Sequence, residues 1–205
     1  MAKKRILVAY ATNAGSTAEV ARVIGEELGK DGIPVEVQRV EEVKSLEPFS
    51  AVVVGAPMIM GWHRAALKFI RKHKSELSRV PVAYFFTARS LTKLDETEIN
   101  GIPVSVDPQL PKPPADPNHL SFRENYSTVK NYLQPALSAA RVVKPVSVAF
   151  FGGILSMVNL KWFQTIFVLL VVQARPGGSY NLPFIREWSV NIREKLLVEG
   201  SQPRK

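Results

Sequence analysis

Five short runs of apolar residues, rich in valine and isoleucine, recur along the chain with helical patterns between them. They lie at residues 5–11, 35–40, 51–56, 82–86 and 146–151. All except the second are nearly continuous rather than alternating, which is typical of strands covered on both faces. The repeated order of strand, helix and strand predicts an open parallel sheet with right-handed crossovers. We therefore expect an α/β fold in which one doubly wound, five-stranded parallel sheet has helices on both faces.

The segments between these runs have helical periodicity. Helices are predicted over residues 17–29, 63–77, about 126–140 and 184–197. After the first of these, Gly32 and Pro34 end the helix before the second strand. Each predicted helix is amphipathic, so each has an apolar face to pack against the sheet.

The regular alternation breaks after the fourth strand, where residues 89–126 form a long insertion. Six prolines fall between Pro103 and Pro117, and proline interrupts a helix because it lacks the backbone N–H. Loops of this length within a compact domain are functional or disordered. We expect a single domain over residues 1–205, with the insertion as an extended, mobile lid beside the ligand site.

Composition limits the chemistry that is open to the chain. Cysteine is absent, which excludes disulfides, thiolate ligands and cysteine nucleophiles, and permits a reducing, cytoplasmic setting. His63, His73 and His119 lack metal-ligand spacing, so we expect no metal. The net charge is +9, with the basic excess in residues 1–88 and 141–205. That excess suggests an anionic ligand or membrane surface, and we expect no nucleic-acid partner.

The apolar segment at residues 154–172 approaches the length of a membrane span, which needs roughly 20 residues. Asn159, Lys161 and Gln164 interrupt it, so a transmembrane helix is not expected. Two interpretations remain, a buried helix packed on the sheet or an apolar surface at a membrane interface. The protein is accordingly expected in the cytoplasm or as a peripheral protein at the inner face of the membrane.

The loop after the first strand is small, polar and uncharged. It consists of Thr12, Asn13, Ala14, Gly15, Ser16 and Thr17. In an open parallel sheet, ligands bind at the carboxyl ends of the strands, and the free N–H groups at a helix start favour an anion. The loop has neither the Gly-Lys-Ser/Thr of a Walker turn nor the three spaced glycines of a Rossmann turn. A phosphate monoester held by hydroxyl and backbone groups fits this loop, and a strand-to-helix turn without a ligand is the alternative.

Two further loops leave the carboxyl ends of strands. The loop after the third strand offers a largely apolar surface for a flat heteroaromatic ring, formed by Ala56, Pro57, Met58, Ile59, Met60, Gly61 and Trp62. The alternative for Trp62 is an ordinary core position above the next helix. The loop after the fourth strand would close the other side through Thr87, Ala88, Arg89 and Ser90. Arg89 is interpreted either as facing the electron-rich edge of such a ring or as a solvated loop residue.

The stretch "VAYATNAGSTAEVARVI" resembles the phosphate loop of flavodoxins, with Thr12, Gly15, Thr17 and Ala21 at the motif positions. Two residues depart from the pattern, because Ala9 stands where a larger apolar residue is usual and Ala14 replaces a common hydroxyl residue. The resemblance covers most of the chain. It implies a flavodoxin-like sheet in the order 2-1-3-4-5, FMN as cofactor, and the three loops above as the residues that bind it.

A narrower resemblance involves residues 55–70 and 150–164. The segments "GAP", "ALKFI", "FFGG" and "KWF" resemble the flavodoxin-like, quinone-dependent protoporphyrinogen dehydrogenases. That resemblance implies an FMN oxidoreductase that passes electrons from a protoporphyrinogen to a membrane quinone. The flavin then carries the redox chemistry and no side chain is needed as a catalytic group.

Other functions stay open. The chain fits a flavodoxin-type electron carrier, although such carriers are typically acidic, or an NAD(P)H:quinone reductase of related fold, although no dinucleotide fingerprint is present. Ala9 and Ala14 also leave open a scaffold that has lost its cofactor. The outward face of the second predicted helix would attract propionates or anionic lipid headgroups through Arg64, Lys68, Arg71 and Lys72. A solvated helix face is the alternative.

Overall fold

The computed structural model describes residues 5–13, 15–58, 61–93, 96–153 and 180–198. In chain order, its elements are β1 (Ile6–Tyr10), α1 (Ser16–Leu28), β2 (Val35–Arg39), β3 (Ala51–Pro57), α2 (Arg64–Lys72), α3 (Lys74–Leu77), β4 (Val82–Ala88), β5 (Leu91–Thr92), β6 (Glu98–Ile99), β7 (Ile102–Val106), β8 (Pro111–Lys112), α4 (Phe122–Tyr126), α5 (Val129–Ala139), β9 (Ser147–Gly152) and α6 (Leu182–Val198). The five predicted strands and the predicted helices outside residues 154–179 are all present.

The sheet has the order β2-β1-β3-β4-β9-β7-β6. Its first five strands are the predicted ones, they pair in parallel, and they follow the expected 2-1-3-4-5 order. The predicted number of five strands was wrong for the described sheet, because β7 pairs in parallel with β9 and β6 pairs antiparallel with β7. Ile102 and Val104 are buried while Pro103 between them is exposed, so β7 has the alternation of a strand near an edge.

Helices cover both faces of the sheet, as predicted. On one face, α1 and α6 pack on side chains such as Val8, Phe85 and Phe151. On the other, α2 and α5 pack on a core that includes Tyr84 and Phe86. Because β1, β3, β4 and β9 are buried from both sides, their sequences are continuously apolar.

The predicted helix over residues 63–77 is divided into α2 and α3 at His73, which has φ −101°. His73 is buried, and its Nδ1 lies 3.1 Å from Glu76 Oε1. The apolar face of α2 is buried as expected. Its outward face consists of the exposed side chains Arg64, Lys68, Arg71 and Lys72.

The insertion is folded onto the edge of the sheet rather than being wholly extended. Besides β6 and β7 it contains the parallel pair of β5 and β8 and the short helix α4. Asp107, which is buried, follows β7 and accepts hydrogen bonds from the Gly152 N–H at the end of β9, over 3.3 Å, and from Asn181 Nδ2, over 3.0 Å.

The two interpretations of residues 154–172 concern a segment outside the described residues. Among the helices that are described, none is both long and apolar enough to cross a bilayer.

Candidate functional site

Three loops meet at the carboxyl ends of β1, β3 and β4, which are neighbours in the sheet. The Ala11 N–H donates to Gly55 O over 2.9 Å, and the Met58 N–H donates to Thr87 O over 2.9 Å. The parallel ladder therefore continues to the start of each loop. Because of this, the loops predicted from three distant parts of the chain begin side by side.

The first loop is shaped by Gly15, which stands at the N-terminus of α1 with φ +89°. Its N–H donates to Thr12 Oγ1 over 2.9 Å, which closes a tight turn. A left-handed backbone is rarely adopted by residues with a side chain, so the turn favours glycine. A Cβ at Gly15 would meet nothing within 4 Å among the described residues, so the backbone there is open to a ligand. Asn13 is exposed and Ser16 is half-buried, while Ala14 lies outside the described residues.

Thr17 and Thr87 join the first loop to the third. Their hydroxyl oxygens lie 2.9 Å apart in a hydrogen bond, and both residues are buried, with exposed fractions of 0% and 3%. A buried hydroxyl needs such a partner, because its desolvation is otherwise uncompensated. The pair fixes the start of α1 against the end of β4.

His63, which was not predicted as a site residue, joins the first loop to the second. Its Nδ1 accepts a hydrogen bond from the Ala65 N–H over 3.2 Å, which caps α2. Nε2 therefore carries the ring proton of the neutral tautomer and donates to Asn13 Oδ1, 2.9 Å away. Burial lowers the pKa of His63, an effect that Glu41 opposes and Arg39 reinforces. Histidine is not among the residue types that commonly begin a helix as caps, and nothing local indicates a partner 50 residues away.

The described apolar residues of the second loop are buried, and Trp62 among them does not form the predicted ligand surface. Ala56, Pro57 and Met58 are buried, whereas Ile59 and Met60 lie outside the described residues. Trp62 is 2% exposed, packs against Phe86 with ring centroids 4.7 Å apart and the ring planes tilted by 31°, and donates its indole N–H to Ala56 O over 3.2 Å. Its side chain is therefore part of the core, in agreement with the alternative interpretation, and it presents almost no surface to a ligand.

The third loop is divided between buried and accessible residues. Thr87 and Ala88 are buried, Ser90 is half-buried and Arg89 is exposed. The Ala88 carbonyl accepts the Gly153 N–H over 3.1 Å, so the end of β9 lies against this loop. The structure thus brings the described residues of all three predicted loops to one end of the sheet.

The groups at this end fit the phosphate of FMN chemically. Hydroxyls, an amide and the N-terminus of a 13-residue helix converge there, and the described residues 12, 13 and 15–17 include no cation. Such a set suits a dianion held by neutral donors. Among the described residues of the second loop, Ala56, Pro57, Met58 and Trp62 are buried and Gly61 is half-buried, so the ring surface expected from this loop stays a prediction.

Comparison with known proteins agrees with this geometry. Residues 7–179 match the family model described as a flavodoxin domain. Protoporphyrinogen IX dehydrogenase [quinone] of Escherichia coli strain K12 is 31% identical over 84 residues, which cover 40% of this chain and 46% of the relative. The matched region thus spans about half the length of that curated relative.

Solved flavodoxins share the fold. A flavodoxin from the domain Archaea has a TM-score of 0.50 and 13% identity over 94% of this chain and 99% of its own. A short-chain flavodoxin associated with a non-canonical PDU bacterial microcompartment has a TM-score of 0.50 and 11% identity over 97% and 99%. The prediction of FMN as cofactor agrees with the family, since FMN is the cofactor of flavodoxin domains. From its sheet order, its loops and the family model, the chain belongs to the flavodoxin-domain family.

Proposed function

We propose that the protein is an FMN-dependent oxidoreductase that passes electrons from a protoporphyrinogen-like substrate through FMN to a quinone. The observation that carries this proposal is the convergence of three loops at the N-terminus of α1, where the described residues 12, 13 and 15–17 are uncharged, and where the Thr17–Thr87 and His63–Asn13 hydrogen bonds join the loops. The name of the Escherichia coli relative supports the choice of substrate and acceptor.

Each loop has a separate task in this proposal. Thr12, Asn13, Ala14, Gly15, Ser16 and Thr17 would hold the phosphate through hydroxyl and backbone donors. Ala56, Pro57, Met58, Ile59, Met60 and Gly61 would exclude water from one side of the ring, and Trp62 would support them from the core. Thr87, Ala88, Arg89 and Ser90 would close the other side. When bound, FMN supplies the redox chemistry, and the protein supplies binding, orientation and exclusion of water.

The basic face of α2 supports a peripheral position at an anionic membrane surface. Arg64, Lys68, Arg71 and Lys72 are exposed, and none of them forms an ion pair with a described residue. Lipid headgroups attract each such charge by about 1 kcal/mol. Charge reversal of Lys68 and Arg71 should therefore weaken binding to vesicles that contain phosphatidylserine, and unchanged binding would leave this face as a solvated one.

A flavodoxin-type electron carrier is the second candidate, because the solved structures with the same fold are flavodoxins. An NAD(P)H:quinone reductase of related fold is the third. Stopped-flow mixing with NADPH separates the third from the others, since only a reductase of that type would bleach its flavin rapidly.

The first experiment is a visible absorption spectrum of the purified protein, before and after incubation with FMN and gel filtration. We expect about one equivalent of retained flavin, and Asn13→Ala should retain less while Asn118→Ala, in the insertion, retains the same amount. Anaerobic turnover with a porphyrinogen and a quinone follows. Retained flavin without turnover would favour the carrier, and a folded protein without flavin would contradict the proposal.

A further inference from the structure

A cleft of about 380 Å³ lies between α4 and α5, outside the three loops. Phe122, Tyr126 and Pro135 form its apolar part, and Asn125, Asn131 and Gln134 supply side-chain amides. Every described residue that lines it is uncharged. Its volume is within the usual range for small-molecule sites, roughly 300 to 1,000 Å³.

The aromatic wall of the cleft is unusual for a protein surface. Phe122 is 89% exposed, and its ring lies parallel to that of Tyr126, with centroids 6.5 Å apart and an interplanar angle of 19°. Tyr126 contacts Tyr132 edge-on, with centroids 5.8 Å apart. An isolated exposed apolar residue needs no explanation, but a stacked pair that lines a cleft is a candidate for ligand contact.

The short helix that carries Phe122 and Tyr126 is held firmly. Ser121 and Glu124 form a reciprocal capping box, and Glu124 also accepts the Ala115 N–H over 2.7 Å. The Ser121 hydroxyl and these backbone donors lower the pKa of Glu124, so its carboxylate is charged at neutral pH. Thr92 Oγ1 donates to Glu124 O over 2.6 Å. The backbone that carries the aromatic pair is thus held in place before any ligand binds, which reduces the entropy lost on binding.

The cleft adjoins the second loop of the candidate site. Tyr126 Oη lies 3.9 Å from the position that a Cβ would take at Gly61, which has φ +114°. Burial raises the pKa of Tyr126, so its hydroxyl stays protonated at neutral pH and can donate a hydrogen bond. A ligand on Phe122 and Tyr126 would therefore lie beside the loop that we assign to the flavin ring.

We infer that this cleft binds an uncharged, flat aromatic molecule that carries carbonyl oxygens. The stacked rings of Phe122 and Tyr126 match its face, and amide N–H groups match its oxygens. Asn131 Nδ2 already donates to Asn125 O, over 2.6 Å, and to Asn125 Oδ1, over 3.4 Å, so the donors for a ligand are the amides of Asn125 and Gln134. Gln134 Nε2 donates one N–H to Ser138 Oγ over 3.3 Å and has a second N–H to offer. Binding of such a molecule to the cleft requires no flavin. Only its role as a redox partner rests on the proposed function.

Equilibrium dialysis with menadione tests the inference on the full chain, both loaded with FMN and stripped of it. Phe122→Leu removes the aromatic face and should raise the Kd of menadione roughly fivefold or more, whereas Phe122→Tyr keeps the ring and should stay within about twofold. Val142→Ala is the matched control, because Val142 is 62% exposed and does not line the cleft. Naphthoquinone sulfonate should bind more weakly than menadione, since none of the described lining residues is a cation that could compensate its charge.

Equal menadione affinity in wild type and Phe122→Leu would overturn the inference. Menadione binding that depends on FMN loading but not on Phe122 would also overturn the inference, because menadione would then bind at the three flavin loops. The proposed function would survive that result. Binding that depends on Phe122 in a protein that never retains FMN would support the cleft and contradict the proposed function. The two failures are therefore distinguishable.

Discussion

The first loop and the insertion both follow a buried strand, yet they are ordered by different kinds of contact. The turn of the first loop is closed between Thr12 and Gly15, three residues apart, and its helix begins at once. The insertion depends on distant partners, since Asp107 is held by Gly152, 45 residues away, and by Asn181, 74 residues away. Contacts between close residues leave a signature in the sequence, whereas distant contacts do not.

The largest expected effect is that of removing the Asp107 carboxyl group. Asp107→Ala leaves the buried Gly152 N–H and the side-chain amide of Asn181 without their acceptor, at a cost of about 3 kcal/mol in the free energy of unfolding. Denaturant unfolding measures this loss. Hydrogen exchange should show that protection falls more in β7 than in α1.

Two variants sharpen the Asp107 experiment. Asp107→Asn keeps one oxygen acceptor and should recover part of the stability. Asp116→Ala removes an exposed carboxyl group that accepts only the local Asn118 N–H, so it should change the free energy of unfolding by less than about 0.5 kcal/mol. An equal loss of protection in β7 and α1 would contradict the view that the insertion is held separately by Asp107.

The same contrast explains what the sequence could predict. The five main strands, their order and the first loop follow from apolar runs and a turn motif. The strands β6 and β7 could not be predicted from their two and five residues, which include Pro103. They become strands only because β7 pairs with β9 and β6 pairs with β7. Trp62 was ambiguous for a related reason, since an aromatic residue after a strand suits a ligand or a core equally well.

The Thr17–Thr87 pair gives the next largest effect. Thr17→Val keeps the shape of the side chain but leaves the buried Thr87 hydroxyl without its partner, which should cost about 2 kcal/mol in the free energy of unfolding. The double variant Thr17→Val, Thr87→Val should recover most of that loss, because no hydroxyl is then left unpaired. Denaturant unfolding of the two single variants and the double variant measures the coupling.

Measuring the FMN affinity of the same variants shows whether the Thr17 and Thr87 hydroxyls bind FMN or only stabilise the fold. If the two hydroxyls help to hold the phosphate, the double variant should bind FMN more weakly although its stability is restored. Restored stability together with wild-type affinity would assign the pair a purely structural role. Additive losses of stability in the double variant would contradict the hydrogen bond as the source of the effect.

The smallest expected effect concerns His63. Its hydrogen bond to Asn13 is a contact between the first loop and a residue distant in the sequence. Because burial lowers the pKa of His63 from its usual value of 6.5, the unfolded chain takes up the proton first as pH falls. The contribution of His63 to the free energy of unfolding is therefore complete above pH 6.5 and declines below it. Protonation also turns Nδ1 into a donor that faces the Ala65 N–H, so the cap of α2 is lost.

Two variants distinguish the hydrogen bond of His63 to Asn13 from its hydrogen bond to the Ala65 N–H. His63→Asn retains a side chain that caps helices well but is too short to keep the ring's contact with Asn13, whereas His63→Ala loses both. Loss of the Asn13 bond should weaken FMN binding by about 1 kcal/mol, roughly fivefold in Kd. The phosphate of FMN itself titrates near pH 6, so the pH dependence that belongs to His63 is the difference between wild type and His63→Asn. Parallel profiles for the two proteins would mean that His63 does not position the loop, and the Thr17–Thr87 bond would then be the distant contact that does.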